Sequence, residues 1–244
     1  MTKGKNIPLL RLLNFLPFLR PVVRLFFRKT YPSLKKEIIG LTFSGPVGVA
    51  AGVDKRGEYT DTIACYSPSF IEIGPIRDVR FAIQNLQQRE EDIVVLANLS
   101  NAQNIERVFS LIYDFVDAIV LNVSHGSTVS KVIEHLLELR RYNDTYKPII
   151  FKLFSDLSQA ETEEVADYML RSGIDAVMIG AEAVQMIREK THSLMPVIAI
   201  AEISTPERAA QMLDTGADLI AVTNSPFHYG PKFIKRINKY LEKR

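Results

Sequence analysis

From position 46 onward the chain alternates two hydrophobic patterns. Short apolar, β-branched runs occupy positions 47–50, 70–73, 93–97, 118–123, 149–154, 176–179, 197–201 and 219–222. Between and after them lie stretches of helical length with apolar residues three and four apart, at 57–66, 78–89, 101–115, 128–142, 159–171, 182–190, 206–214 and 231–242. Helix boundaries carry their own signals: Ser158 is followed by Glu161, Thr205 by Pro206, and Gly173 and Gly216 stand just past helix ends. The runs are too uniformly apolar for a sheet with one wet face. Eight such units in about 200 residues predict an α/β fold, the (β/α)8 TIM barrel, with a doubly wound open sheet as the alternative.

Residues 1–40 read differently from the barrel segment, 41–244. No acidic residue precedes Glu37, whereas Lys3, Lys5, Arg11, Arg20, Arg24, Arg28, Lys29, Lys35 and Lys36 are interleaved with LLRLLNFLPFLRPVVRLFF. The arginines cut the apolar runs well short of the ~18–20 residues a spanning helix needs. A small-residue cleavage site is also missing, which argues against a signal peptide. The expectation is one or two short amphipathic helices, broken at Pro17 and Pro21. Residues 1–30 then either lie on an anionic membrane surface or cover the underside of the barrel.

Composition narrows the function classes. The 244 residues are 47% hydrophobic, enough for a sizeable core, and the net charge of +2 is too small for a general nucleic-acid binder. A single cysteine, Cys65, excludes a disulfide framework or cysteine-rich metal site and fits the cytoplasm, with peripheral contact on the inner face of the membrane. His135, His192 and His228 are too scattered to make a metal constellation.

In a barrel of this kind chemistry belongs at the carboxyl ends of the strands. After the first strand come Ala50, Ala51, Gly52, Asp54 and Lys55: small residues over which a flat ring can approach the backbone, then a lysine able to bind a carboxylate. Glu72, Gly74 and Pro75 follow at the second strand, Asn98 and Asn101 at the third, and Asn122, Ser124, His125 and Gly126 at the fourth. Lys152 interrupts the apolar run IIFKLF, so it must face an electron-rich ligand in the lumen or find a buried carboxylate.

The segments GPVGVAAGVDKRGE, SFIEIGP, AIVLNVS, IIFKLFSDLS and GADLIAVTNSPFHYGPKFIKRI, in that order and spacing, resemble the quinone-dependent, membrane-associated dihydroorotate dehydrogenases. RPVVRLFFRKTYPSLKKEIIG is similar to the segment that precedes the barrel in that class. The resemblance implies FMN over the barrel mouth, oxidation of dihydroorotate to orotate in pyrimidine biosynthesis, and quinone as electron acceptor. Carried over, Ala50, Ala51 and Gly52 would lie against the flavin, Lys55 would bind the substrate carboxylate, Asn122 would contact flavin or substrate, and Lys152 would sit at the N1/O2 edge. Gly74, Thr223 and Asn224 complete the expected cofactor-binding set.

Several positions depart from the family pattern. The run NVSHGST puts His125 where the family has a serine base and Ser127 where it has an asparagine. Histidine is chemically able to act as a base, and the alternative is a polar loop residue. Gly180, Ala181 and Glu182 replace an asparagine–threonine pair. At the FMN phosphate the family's glycines give way to Ala201 and Glu202, and its tyrosine–serine–glycine run to Thr223, Asn224 and Ser225. A carboxylate 4 Å from a phosphate charge is repelled by roughly 4 kcal/mol at an effective dielectric of about 20. One charge-assisted hydrogen bond returns only about 1.5–3 kcal/mol. A second function class therefore stands beside the first: a barrel of the same descent, without the flavin reaction, that binds another small anion or a protein partner.

Overall fold

The computed structural model describes residues 12–90, 92–100, 104–122, 127–153, 159–223, 229–230 and 232–244. Strands β1 (Lys36–Ile38) and β2 (Leu41–Phe43) form an antiparallel hairpin. Eight parallel strands then follow: β3 (Val47–Val49), β4 (Phe70–Ile73), β5 (Val94–Ser100), β6 (Ala118–Asn122), β7 (Ile149–Lys152), β8 (Ala176–Gly180), β9 (Val197–Ala201) and β10 (Leu219–Val222). They close into a barrel because β10 pairs with β3, Ile220 opposite Val47, as well as with β9. That closure settles the choice between barrel and open sheet.

One helix follows each barrel strand. Helix α1 (Arg20–Phe27) precedes the barrel; α2 (Thr60–Ala64), α3 (Val79–Gln87), α4 (Ile105–Ile112), α5 (Ser127–Arg141), α6 (Gln159–Ser172), α7 (Val184–Lys190), α8 (Pro206–Asp214) and α9 (Phe233–Leu241) alternate with its strands. The anticipated cap at α8 is present, Thr205 Oγ1 accepting from the Arg208 N–H at 3.3 Å. Gly173 and Gly216 adopt φ of +85° and +103° at the ends of their helices, the left-handed region glycine enters without a Cβ penalty.

Successive strand residues face opposite sides, and this separates two cores. Val49, Ile71, Val95, Ile119, Phe151 and Val177 face outward onto the helices. Phe70, Leu96, Val120, Ile150, Met178 and Ile198 fill the lumen. At its amino end the lumen is closed by Phe43 of the hairpin, fully buried and edge-on to Phe70 with ring centroids 5.9 Å apart. Gly48 is required here, because any Cβ at that position would overlap the Phe70 ring. Above this apolar floor the inward positions turn polar: Glu72, Asn98, Asn122 and Lys152 form the upper layer, facing the mouth.

The N-terminal segment docks on the flank of the ring. Arg20, 9% exposed, donates to Asp61 Oδ2 at 3.1 Å. Lys235 Nζ on α9 donates to the Phe26 carbonyl at 2.9 Å, and Phe27 packs on Tyr66 with ring centroids 6.0 Å apart. Phe15, Phe18, Val22, Leu25 and Phe26 stay exposed. The segment is thus held by Arg20 together with Leu13, Leu19, Val23 and Phe27, which pack on the core, while a second set of apolar residues faces outward. No helix among the described residues is long and apolar enough to cross a membrane.

Candidate functional site at the barrel mouth

Strand β3 ends in small residues whose path is fixed from two sides. The Ala50 N–H donates to the Val222 carbonyl at 2.9 Å, and the Gly52 N–H to the Gly74 carbonyl at 3.0 Å. Gly74 in turn donates to the Asp54 carbonyl at 2.8 Å, tying the β3 and β4 ends together. Gly52 has φ +100° and faces open space where a Cβ would stand, leaving bare backbone at the mouth. Ala50 is buried, Ala51 half-buried and Gly52 exposed, so the strip Ala50–Ala51–Gly52 rises from lumen to rim.

Asp54 acts on the loop rather than on a ligand. It is 1% exposed, and its carboxylate accepts from the Glu58 and Tyr59 N–H groups at 3.0 and 2.9 Å and from Thr60 Oγ1 at 3.0 Å. Burial pushes its carboxyl above the usual carboxylate range, opposed by these hydrogen bonds. The adjoining Lys55 is exposed, at the rim of the mouth.

The upper lumen is organised by Glu72, which is fully buried. Lys152 Nζ lies 2.7 and 2.9 Å from its two carboxylate oxygens. The Ala51 N–H donates to Oε2 at 2.8 Å, and Asn98 Nδ2 donates to Oε1. Lys152 therefore has the buried carboxylate that an apolar strand position demands, and Glu72 is a partner sequence reasoning had not matched to it. The available signal was the two-residue period of FIEI and IIFK, which points both side chains inward. An ammonium has three donors, and the Lys152 side chain remains 14% exposed, so the pairing leaves it able to meet a ligand above.

Asn122 lies beside Lys152 in strand register. Its Oδ1 and that of Asn98 are buried without a hydrogen-bond partner among the described residues. Unsatisfied buried acceptors are uncommon and call for a donor. Small backbone on one side and an orphaned Asn122 acceptor beside a lysine on the other fit the ring of a flavin, which presents both N–H and carbonyl groups at one edge.

Across the mouth the character changes. Glu182 is exposed with its side chain folded against Gly180, and Glu202 is exposed beyond Ala201, which is 8% exposed. Thr223 is half-buried after β10. The β3 rim is thus cationic and the β8–β9 rim anionic. His125 and Asn224 lie outside the described residues.

The fold and site define a (β/α)8 barrel with a polar, ligand-accepting mouth. In sequence the chain is similar to proteins named dihydroorotate dehydrogenase (quinone): 21% identity to that of Photobacterium profundum, over 92% of each chain. The Vibrio vulnificus (strain YJ016) protein of the same name is 22% identical over 93% of each. Among solved structures, DHODH from Eimeria tenella in complex with ferulenol superposes with a TM-score of 0.78 at 18% identity, covering 95% of this chain and 90% of that one. The ligand-free form gives 0.81 at 17% identity, covering 93% and 92%. No protein-family model matches the chain. Likeness at this identity, sustained over nearly the whole of both chains, is that of a divergent relative.

Proposed function

We propose that the chain is a divergent, dihydroorotate dehydrogenase-type barrel that binds FMN at its mouth and oxidises dihydroorotate or a close analogue. The observation that carries this reading is the Ala50–Ala51–Gly52 strip facing Asn122 and the Glu72-held Lys152. FMN bound there would supply the two-electron oxidant, with quinone as the onward acceptor. Lys152 would place positive charge at the pyrimidine edge of the ring, and Glu72 would keep it in position. Asn122 would receive a donor at its free Oδ1, and Lys55 would hold the substrate carboxylate. His125 would take the substrate proton in place of the family's serine. The exposed apolar side of the N-terminal segment, amid its arginines, supports peripheral contact with an anionic membrane.

A second reading, a barrel without the flavin reaction that binds another small anion, is favoured by Glu202 at the rim where the FMN phosphate would lie. The flavin spectrum decides between them. The purified chain, as isolated and after soaking in excess FMN, is expected to carry flavin that dihydroorotate bleaches; a colourless protein that takes up none would sink the first reading. Given flavin uptake, His125→Ala should abolish bleaching and leave FMN bound.

A further inference from the structure

In (β/α)8 barrels a ligand's phosphate is commonly held by the loops that follow the seventh and eighth strands and by a helix N-terminus beside them. Here those strands are β9 and β10, along which the lumen-facing series runs Ile198, Ile200 and, in register with it, Leu219, Ala221. Two residues further on, the same period brings Glu202 and Thr223 to the rim. On β8 the series Met178, Gly180 ends under Glu182, whose side chain lies over Gly180. Both carboxylates are exposed, and neither is ion-paired among the described residues.

The donors that a phosphate would meet there are spent, turned away or missing. The Thr223 N–H donates to the Ala201 carbonyl at 3.2 Å. Helix α8 begins at Pro206, which has no N–H; its Thr205 cap takes the Arg208 N–H at 3.3 Å, and Glu207 adds a negative charge to the first turn. The Arg208 guanidinium reaches along the helix to Gln211 Oε1 at 3.4 Å. Positions 224–228 read NSPFH, without lysine or arginine, and the next cation is Lys232, exposed in the turn that starts α9. Lys152, on the neighbouring β7, is held by both oxygens of Glu72. The features that suit a ring are by contrast in place: bare backbone at Gly52, and Oδ1 atoms of Asn98 and Asn122 without partners among the described residues.

We propose that the mouth takes a flavin without its phosphate, with riboflavin preferred to FMN. This rests on the reading that the mouth holds a flavin ring, and it narrows which flavin. A phosphate monoester carries a charge of about −1.5 to −2 at neutral pH, which Glu182 and Glu202 repel. A ribityl chain that ends in a hydroxyl instead brings O–H donors to the same carboxylates, which only accept.

The test is equilibrium dialysis of the full chain, freed of any flavin it carries, against riboflavin and against FMN at low and at physiological salt. Riboflavin is expected to bind about tenfold tighter than FMN at low salt, and the gap to narrow as the Debye length falls to ~8 Å and screens the repulsion. A cationic phosphate cradle would give the opposite sign, with FMN weakening as salt rises. Glu182→Gln with Glu202→Gln should tighten FMN severalfold and move riboflavin less; both side chains are exposed, so the fold stays intact, which circular dichroism checks. Glu134→Gln with Glu138→Gln, an equal charge change on α5, should leave the ratio of the two affinities unchanged. An unchanged ratio in the Glu182 and Glu202 variant overturns the role given to those carboxylates. FMN binding as tight as riboflavin, or tighter, overturns the proposal and leaves the flavin reading standing. If neither flavin binds, both fall.

Discussion

Lys152 was visible in the sequence as a charge inside IIFK, yet its partner is 80 positions away. Finding Glu72 needs the strand register, which only the closed barrel supplies. Asp54 shows the converse: it looked like a site residue at a strand end, and its carboxylate is consumed by the loop it caps. Removing one member of a buried ion pair strands the other, at a cost of about 3–5 kcal/mol. Glu72→Gln and Lys152→Met should each lower unfolding stability by that order in urea titrations. Glu72→Leu combined with Lys152→Met should recover most of the loss, and additive losses would show that the two side chains do not act as a pair. Tyr66 gives a pH prediction. Burial pushes its hydroxyl up to about 12, so the native state favours the neutral phenol. Its contribution is whole below the unfolded value near 10 and disappears as pH climbs through 12. Stability should fall between pH 10 and 12, and Tyr66→Phe should remove part of that fall.

The eight strands and their helices were legible because apolar runs alternate regularly with stretches of helical period, and strands β4, β9 and β10 and helix α8 have the anticipated bounds. The β1–β2 hairpin was not. Its strands have three residues each, too few for an alternation, and they merge with the basic segment before them. A signal was present in Ile39–Gly40, which take φ of 52° and 76°, the pair of positive angles a tight hairpin turn demands. Helix α4 begins at Ile105 and the last turn before β6 is 3-10 (Tyr113–Phe115), so the expected 101–115 helix is shorter and tightens at its end. Phe43 tests the value of the hairpin to the barrel. Phe43→Ala opens a cavity against Phe70 and should cost about 3–5 kcal/mol, measured by urea unfolding. A cost under 1 kcal/mol would mean that the hairpin merely rests on the barrel.

At the scale of the molecule, charge is segregated. The net charge of +2 conceals nine cations and no acid before position 37, and that segment also turns Phe15, Phe18, Leu25 and Phe26 to solvent. Composition alone showed the charge; that docking uses Arg20 with Leu13, Leu19, Val23 and Phe27, and leaves Phe15, Phe18, Leu25 and Phe26 outside, required the packed structure. Binding to phosphatidylglycerol vesicles should therefore weaken as salt shortens the Debye length from ~30 Å at 0.01 M to ~8 Å at 0.15 M. Leu25→Asp with Phe26→Asp should reduce cosedimentation severalfold even at low salt. Unchanged cosedimentation would place the membrane contact elsewhere.

The Phe43 stopper and the apolar floor above it also bear on inheritance. A lineage can exchange residues at the rim without disturbing the packing that keeps the chain folded, because the two lie in different storeys of one lumen. Drift is then cheapest where chemistry is done. A change at Phe43, Gly48 or Phe70 costs the fold, whereas a change at the exposed rim costs only what is bound there.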